Sequence, residues 1–327
     1  VLGSEKSRLV NLIDYTHYLE AARRLATQNS PYKNLEYFSP PWFAIALIPL
    51  AYIPTNVSML FWLILCLSSV FVAVNLWQDR WVYPKSALTK YVIAALFCIA
   101  PPSLYVYITG QASAIVLLCL TGLLLSLGSP WFTYLLMTIG ITIKPHLVIL
   151  PLFIHLLESI RKNSAKVVVH IGFSLLLLAV ISTWFYPRWL TEWIQALMTG
   201  DYRGGPGLVS SGYLGYREIG IPIWLLVLPV FYTILIWYKE GQTPYMLCLS
   251  MVSNLLIIPY HRAYDYVFLY PASIYILSKS VGSTPVLVAK ILFLFSVLIL
   301  PLSSLRMLSP IFTLIALLIL HISESAS

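Results

Sequence analysis

An all-α, polytopic membrane helix bundle is the fold class that this sequence predicts, and three observations predict it. Hydrophobic residues make up 59% of 327 and charged residues only 10%, with a mean hydropathy of +0.84, a composition foreign to soluble globular domains. Apolar runs recur along the chain, several approaching the roughly 20 residues that a helix needs to cross a hydrocarbon core of about 30 Å. The runs are continuous rather than alternating, so helices and not barrel strands are the spanning elements.

Residues 1–41 read as an outer-face loop with an amphipathic interfacial helix. Within "NLIDYTHYLEAARRLATQNSPY", residues 11–32, Asp14, Tyr18, Ala21 and Leu25 share one helical face. Glu20, Arg23 and Arg24 turn to water, as on a helix lying along a membrane surface. The chain starts at Val1 with no apolar segment ahead of this helix, so a first transmembrane helix is expected before residue 1. Pro31, Pro40 and Pro41 then stop and redirect the backbone.

Residues 42–327 read as the multi-helix transmembrane domain. Its apolar segments run approximately over 42–55, 58–77, 91–108, 112–128, 131–143, 146–159, 167–186, 221–238, 244–259, 265–278, 288–305 and 308–321. Several are short or broken and cannot cross alone. Over 42–77, one net crossing and two full crossings are both sterically allowed. A long outer loop is expected over 187–220, beyond ordinary connection lengths and so suited to a lid or binding loop.

Short basic loops mark the cytoplasmic side. Arg80, Lys85 and Lys90 form one cluster, Arg161, Lys162 and Lys166 another, Lys239 a third, and Lys279 with Lys290 a fourth. All four share a side if 131–159 makes two half-crossings turning at "IKPH" and 42–77 makes one net crossing. Residues 1–41, "TGQA" at 109–112, Lys144, the 187–220 loop and "YHRAYD" at 260–265 then meet at the outer face. The net charge of +8 follows from this orientation rather than from nucleic-acid binding, because the basic residues form no patch interleaved with aromatics.

Five constellations carry candidate chemistry, three of them beside a plainer reading. Asp14 suits a helix N-cap; beside His17, Tyr15 and Tyr18 at an interface, it also suits a partly desolvated carboxylate that accepts a proton. In "YHRAYDY", Arg262 and Asp265 have the spacing to neutralise one another, while His261 and Arg262 have the donors to hold a phosphate. Lys144 beside Pro145 is either a snorkelling lysine or the cation of a broken-helix anion site. Gly110 permits close approach and Gln111 offers two-sided hydrogen bonding. Arg203 and Arg217 stand among glycines and aromatics in the long loop.

Other chemistries lack their motifs. Cys66, Cys98, Cys119 and Cys248 fall in apolar runs without ligand spacing and read as small hydrophobes. His155, His170 and His321 stand singly and read as packing residues. HExxH, GxSxG and GxxxxGK[ST] are absent from the sequence, so zinc-protease, serine-hydrolase and P-loop nucleotide chemistry have no support. A divalent metal is compatible with the scattered acids but neither required nor indicated.

Taken in order, "DYTHYLEAARRL" ending in "SPY", "YFSPPWFAIALIPLAYIP", "GQAS", "IKPHLVILP" and "YHRAYDYVFLYP" resemble the bacterial GT-C membrane glycosyltransferases that use polyprenyl-phosphate-mannose. That resemblance spans residues 14 to about 271. It implies a bundle of GT-C type in the bacterial cytoplasmic membrane and an inverting hexosyltransferase on the outer face. The donor implied is a polyprenyl-phosphate sugar, with mannose expected, and the acceptor a lipid or glycan. Asp14 is implied as the catalytic acid–base residue. Lys144, Arg203, Arg217, His261 and Arg262 are the candidates for holding the donor phosphate, with Gln111 and Tyr18 for binding substrate. Membrane lipids are the surroundings and no cofactor is required. A non-catalytic membrane subunit and a secondary transporter are the rivals. A transporter is expected to show inverted repeats and ionisable residues near the midplane, and no repeat is evident here.

Overall fold

Helices build the whole described part of the chain. The computed structural model describes residues 12–33, 37–81, 86–125, 130–199, 225, 227–258, 262–280, 283–299 and 308–325. Every regular element among them is helical, in agreement with the predicted class.

Helix α1 (Ile13–Ala26) carries Asp14 in its first turn and Arg23 and Arg24 in its last, charges that complement the helix dipole. Arg24 pairs with Glu20 one turn back at 3.2 Å. Tyr15, Tyr18, Leu19, Ala21, Ala22 and Leu25 are buried, so α1 packs into the bundle against α2 (Pro41–Ala51) rather than only resting on a surface. Helix α2 has 11 residues and α3 (Thr55–Trp81) has 27, about 16 Å and 40 Å at 1.5 Å per residue. Of the two readings of 42–77, these lengths fit one net crossing.

The apolar run 91–108 is not a single helix. Helix α4 (Ala87–Cys98) and α5 (Pro101–Thr109) meet at a 54° bend, because Pro101 and Pro102 supply no N–H to continue α4. Ser103 Oγ instead donates to the Phe97 carbonyl at 2.8 Å. Helix α6 (Ser113–Leu125) and α7 (Trp131–Ile143) follow, then a 3₁₀ turn (Pro145–Leu147) and α8 (Ile149–Arg161). At 13 residues each, α7 and α8 are about 20 Å long, short of a full crossing. Helix α9 (Lys166–Phe185), with 20 residues, is long and apolar enough to cross, as is α3. The predicted 187–220 loop begins with a helix, α10 (Trp189–Thr199); its amphipathic pattern was hidden by the glycine-rich sequence after it.

The chain continues through α11 (Leu228–Glu240), α12 (Pro244–Ile257), a 3₁₀ segment (Ala263–Leu269), α13 (Tyr270–Ser278), α14 (Thr284–Leu298) and α15 (Ser309–Ser325). Every residue of Tyr245–Leu256 and Ala263–Ile276 is buried. A helix buried on all faces can be apolar all round, and α12 is the centre on which α8, α11, α13 and α15 pack.

Contacts sort the polar residues to two ends. At one, Glu158 pairs with Arg161 and Lys162 and accepts from Trp237, His321 approaches Glu240 at 3.5 Å, and Lys279 reaches Glu324 at 2.5 Å. Gln78, which donates to the Lys90 carbonyl, lines the same apolar cavity as Ser278. The basic-loop clusters therefore gather as the positive-inside pattern predicts, apart from Lys85, which lies outside the described residues. His155 bonds Gln242 and His321 stacks on Tyr245 at 4.5 Å, in line with packing roles.

Candidate active site

The opposite end is organised by Gly110. It closes α5 with φ +74°, a left-handed conformation that L side chains resist. A Cβ there would come within 2.8 Å of Tyr15 Cβ and 3.2 Å of Leu12 Cβ. Glycine is thus what lets the first turn of α1 seat directly on the Gly110–Gln111 turn. The Trp62 indole of α3 donates to the Gly110 carbonyl at 2.9 Å and stacks on Tyr15 with centroids 4.8 Å apart. The Tyr15 hydroxyl bonds Ser58 at the start of α3.

This seating carries Asp14 over Gln111. The N-cap of α1 is Leu12, with no side-chain cap bond, so Asp14 is a first-turn residue and not the cap that its sequence position suggested. It is half-buried. Burial pushes its carboxyl above the ordinary aspartate range, opposed by a hydrogen bond from the Gln111 side chain and by the charges of Lys144, His17 and Arg262. Three segments distant in sequence, at Gln111, Lys144 and Arg262, thus act on one carboxylate.

Gln111 and Tyr18, expected as substrate contacts, are engaged with each other. The Tyr18 hydroxyl donates to Gln111 Oε1 at 3.0 Å, and both residues are buried. Tyr18 also packs edge-on against Phe43 at 5.1 Å and Trp62 at 5.9 Å. With its oxygen taken by Tyr18, the Gln111 amide presents its NH₂ group to Asp14.

Lys144 does not snorkel. It is 9% exposed and stands where α7 ends and the 3₁₀ turn begins. Its ammonium donates to Asp265 Oδ1 and to Ser113 Oγ, both at 2.9 Å, and lies 4.3 Å from the Tyr264 ring centroid. This corrects the local pairing of Arg262 with Asp265 suggested by their spacing. Asp265 takes its charged partner from the distant Lys144, and from Arg262 it accepts the main-chain N–H at 2.9 Å.

The break around Lys144 is held by polar side chains. Ser39 Oγ donates to the Ile143 carbonyl at 3.2 Å. Asn254, wholly buried on α12, donates to the His146 carbonyl and accepts from the Leu150 N–H, both at 3.0 Å. It satisfies two backbone groups that the interrupted helix leaves over. Sequence reasoning overlooked Asn254, gave Ser113 no role of its own within "GQAS", and read Asp265 only as a partner for Arg262. The signal for Asn254 was a lone amide within the apolar run 244–259, where a polar side chain needs a partner.

Arg262 is exposed at the head of the 3₁₀ segment. Arg203, Arg217 and His261 lie outside the described residues. The start of α10 adjoins this end of the bundle, since Glu192 accepts from Ser30 and from Tyr186 at 2.8 Å, and Trp193 donates to the Phe38 carbonyl at 2.8 Å.

No curated protein and no solved structure matches the chain. A family model, glycosyltransferase family 87, matches residues 37–259. The matched span contains Gln111, Ser113 and Lys144 and stops short of Asp14 and of Arg262 and Asp265.

Proposed function

The chain belongs to glycosyltransferase family 87 and is a membrane glycosyltransferase, and we propose that it moves a sugar, mannose being the expected one, from a polyprenyl phosphate to a lipid or glycan acceptor at the outer face of a bacterial cytoplasmic membrane. The observation that carries this reading is the seating of the first turn of α1, which bears Asp14, on the Gly110–Gln111 turn, next to the Ser113 that bonds Lys144. A polyprenyl donor keeps its tail in lipid and its anomeric carbon near the interface. An enzyme for it needs a membrane bundle with a polar site at one end, and this bundle has the helices and the polar end.

The reaction is an inverting displacement. The acceptor hydroxyl attacks the anomeric carbon opposite the phosphate oxygen, and the new C–O bond forms as the bond to that oxygen breaks with its electron pair. The proton of the attacking hydroxyl passes to Asp14, whose raised carboxyl is a better base than an exposed aspartate. The Gln111 side chain favours the charged form of that carboxyl. Negative charge leaving with the polyprenyl phosphate is balanced by cations, for which Lys144, Arg203, Arg217, His261 and Arg262 are the candidates.

Transfer from labelled polyprenyl-phosphate mannose to endogenous acceptors in membranes containing this chain tests the reading. Label entering an acceptor in an Asp14-dependent manner is the expected result. Transfer from a nucleotide sugar instead, with none from any polyprenyl-phosphate sugar, overturns the donor assignment. Neutralising a true phosphate contact removes a charge-assisted bond worth roughly 1.5–3 kcal/mol, so donor affinity falls by about one to two orders of magnitude.

A further inference from the structure

Asp265 takes no part in the displacement just described, yet it is wholly buried and accepts three hydrogen bonds. Its Oδ1 accepts from Ser113 Oγ at 2.7 Å and from Lys144 Nζ at 2.9 Å, and its Oδ2 accepts the Arg262 N–H at 2.9 Å. Ser113 Oγ, donating to Asp265, also accepts from Lys144 Nζ at 2.9 Å. The three residues come from α6, from the break after α7 and from the 3₁₀ segment after α12.

Stability is a weak explanation for such a cluster. A buried ion pair often contributes no more than well-packed apolar residues of the same volume. What the cluster does secure is the lysine. An ammonium on a flexible stem samples many rotamers, and one buried without a counter-charge sheds its proton. Asp265 supplies the counter-charge and, with Ser113, fixes two of the three N–H directions. One N–H remains beyond these two oxygens, on a side chain close enough to Asp14 to act on its carboxyl.

We propose that Asp265, braced by Ser113 and by the Arg262 N–H, is a positioning residue of the transfer reaction, holding Lys144 as a fixed ammonium that faces the phosphate of the lipid donor. This rests on the donor reading above. The ammonium meets Asp265 and the Tyr264 ring of the 3₁₀ segment; it acts on the Asp265 carboxyl together with His146 of its own turn, and on the Asp14 carboxyl together with His17 of α1 and Arg262 at the head of the 3₁₀ segment. Only Asp265 meets it as a buried carboxylate at hydrogen-bond distance among the described residues.

Binding of a polyprenyl phosphate to the purified full chain, measured from about pH 6 to about pH 9, tests the proposal, because a lysine stripped of its counter-charge deprotonates within that range. In Asp265→Asn the affinity falls by about tenfold as pH rises, relative to wild type at each pH. The additional fall is absent from Lys144→Met/Asp265→Asn, which has no ammonium to lose. A merely structural Asp265 lowers affinity equally at every pH. Wild-type-like affinity across the range in folded Asp265→Asn, or a fall that persists without Lys144, overturns the proposal. Should Asp265→Asn fail to fold, Ser113→Ala removes the brace while keeping the pair. It is expected to weaken binding at every pH by less than the Asp265→Asn loss, with that weakening absent from Lys144→Met/Ser113→Ala, and wild-type affinity at every pH in Ser113→Ala overturns the proposal too. A wild-type chain that binds no polyprenyl phosphate overturns the donor reading and this role together, whereas the variant outcomes overturn only the role.

Discussion

The hydroxyl of Tyr18 and the side-chain oxygen of Gln111 lie 3.0 Å apart across 93 residues of sequence, and this bond fixes which end of the Gln111 amide meets Asp14. Tyr18→Phe leaves the Gln111 oxygen buried and without that donor, a loss of about 1–3 kcal/mol. The amide is then able to turn its oxygen toward the carboxylate. The expected outcome is a fall in kcat with donor KM nearly unchanged, read from transfer kinetics beside a thermal melt. A Tyr18→Phe protein with lowered stability but wild-type kcat would show that the bond only holds the fold.

Asp14→Asn separates a proton acceptor from a helix-terminal charge. The first-turn acid is worth about 0.3–1 kcal/mol to the helix. At neutral pH its desolvation works the other way, so the net change in stability is expected to be small. Turnover is expected to fall by about 10²-fold or more, because the amide accepts no proton. Folded Asp14→Asn protein with near-normal kcat would remove Asp14 from the chemistry.

The same carboxyl sets an acid limb. Its pKa is raised by burial, so as pH falls the base is protonated sooner than an ordinary aspartate, and kcat/KM begins to drop at a higher pH. The sign for stability is the reverse of the usual carboxylate case. Between the ordinary and the raised value the folded state binds the proton more, so this group's contribution to stability declines as pH rises through that window. A pH–rate profile whose acid limb sits at or below the ordinary aspartate value contradicts this assignment.

Gly110→Ala is expected to unseat α1. Its left-handed φ costs an alanine about 1–2 kcal/mol, and the new methyl would stand 2.8 Å from Tyr15 Cβ. Loss of transfer together with protease cleavage near α1 is the expected outcome. Full activity would mean that the close contact of α1 with the Gly110 turn is dispensable.

Orientation is testable by labelling. Cysteines placed at Gln28 and Lys166, both exposed and at opposite ends of the bundle, are expected to react with an impermeant thiol reagent from opposite sides of the membrane. Modification of both from one side would refute the positive-inside assignment.

The sequence by itself determined the class of molecule and the gathering of its polar residues. Continuous apolar runs, four basic clusters and the breaks at Pro145 and at residues 40–41 are local signals, and local signals suffice to say that a segment is a helix and where it is interrupted. They also singled out Asp14, Gln111, Lys144 and Arg262. Partnership was decided only by the tertiary structure. Lys144 pairs with Asp265 121 residues away, Asn254 satisfies the His146 carbonyl across 108 residues, and Tyr15 and Tyr18 turn inward onto Trp62 instead of resting in a lipid interface. Periodicity reports which face of a helix is apolar but not what lies against it. A buried donor or acceptor must take whichever partner packing brings within about 3 Å, and that depends on how the helices meet.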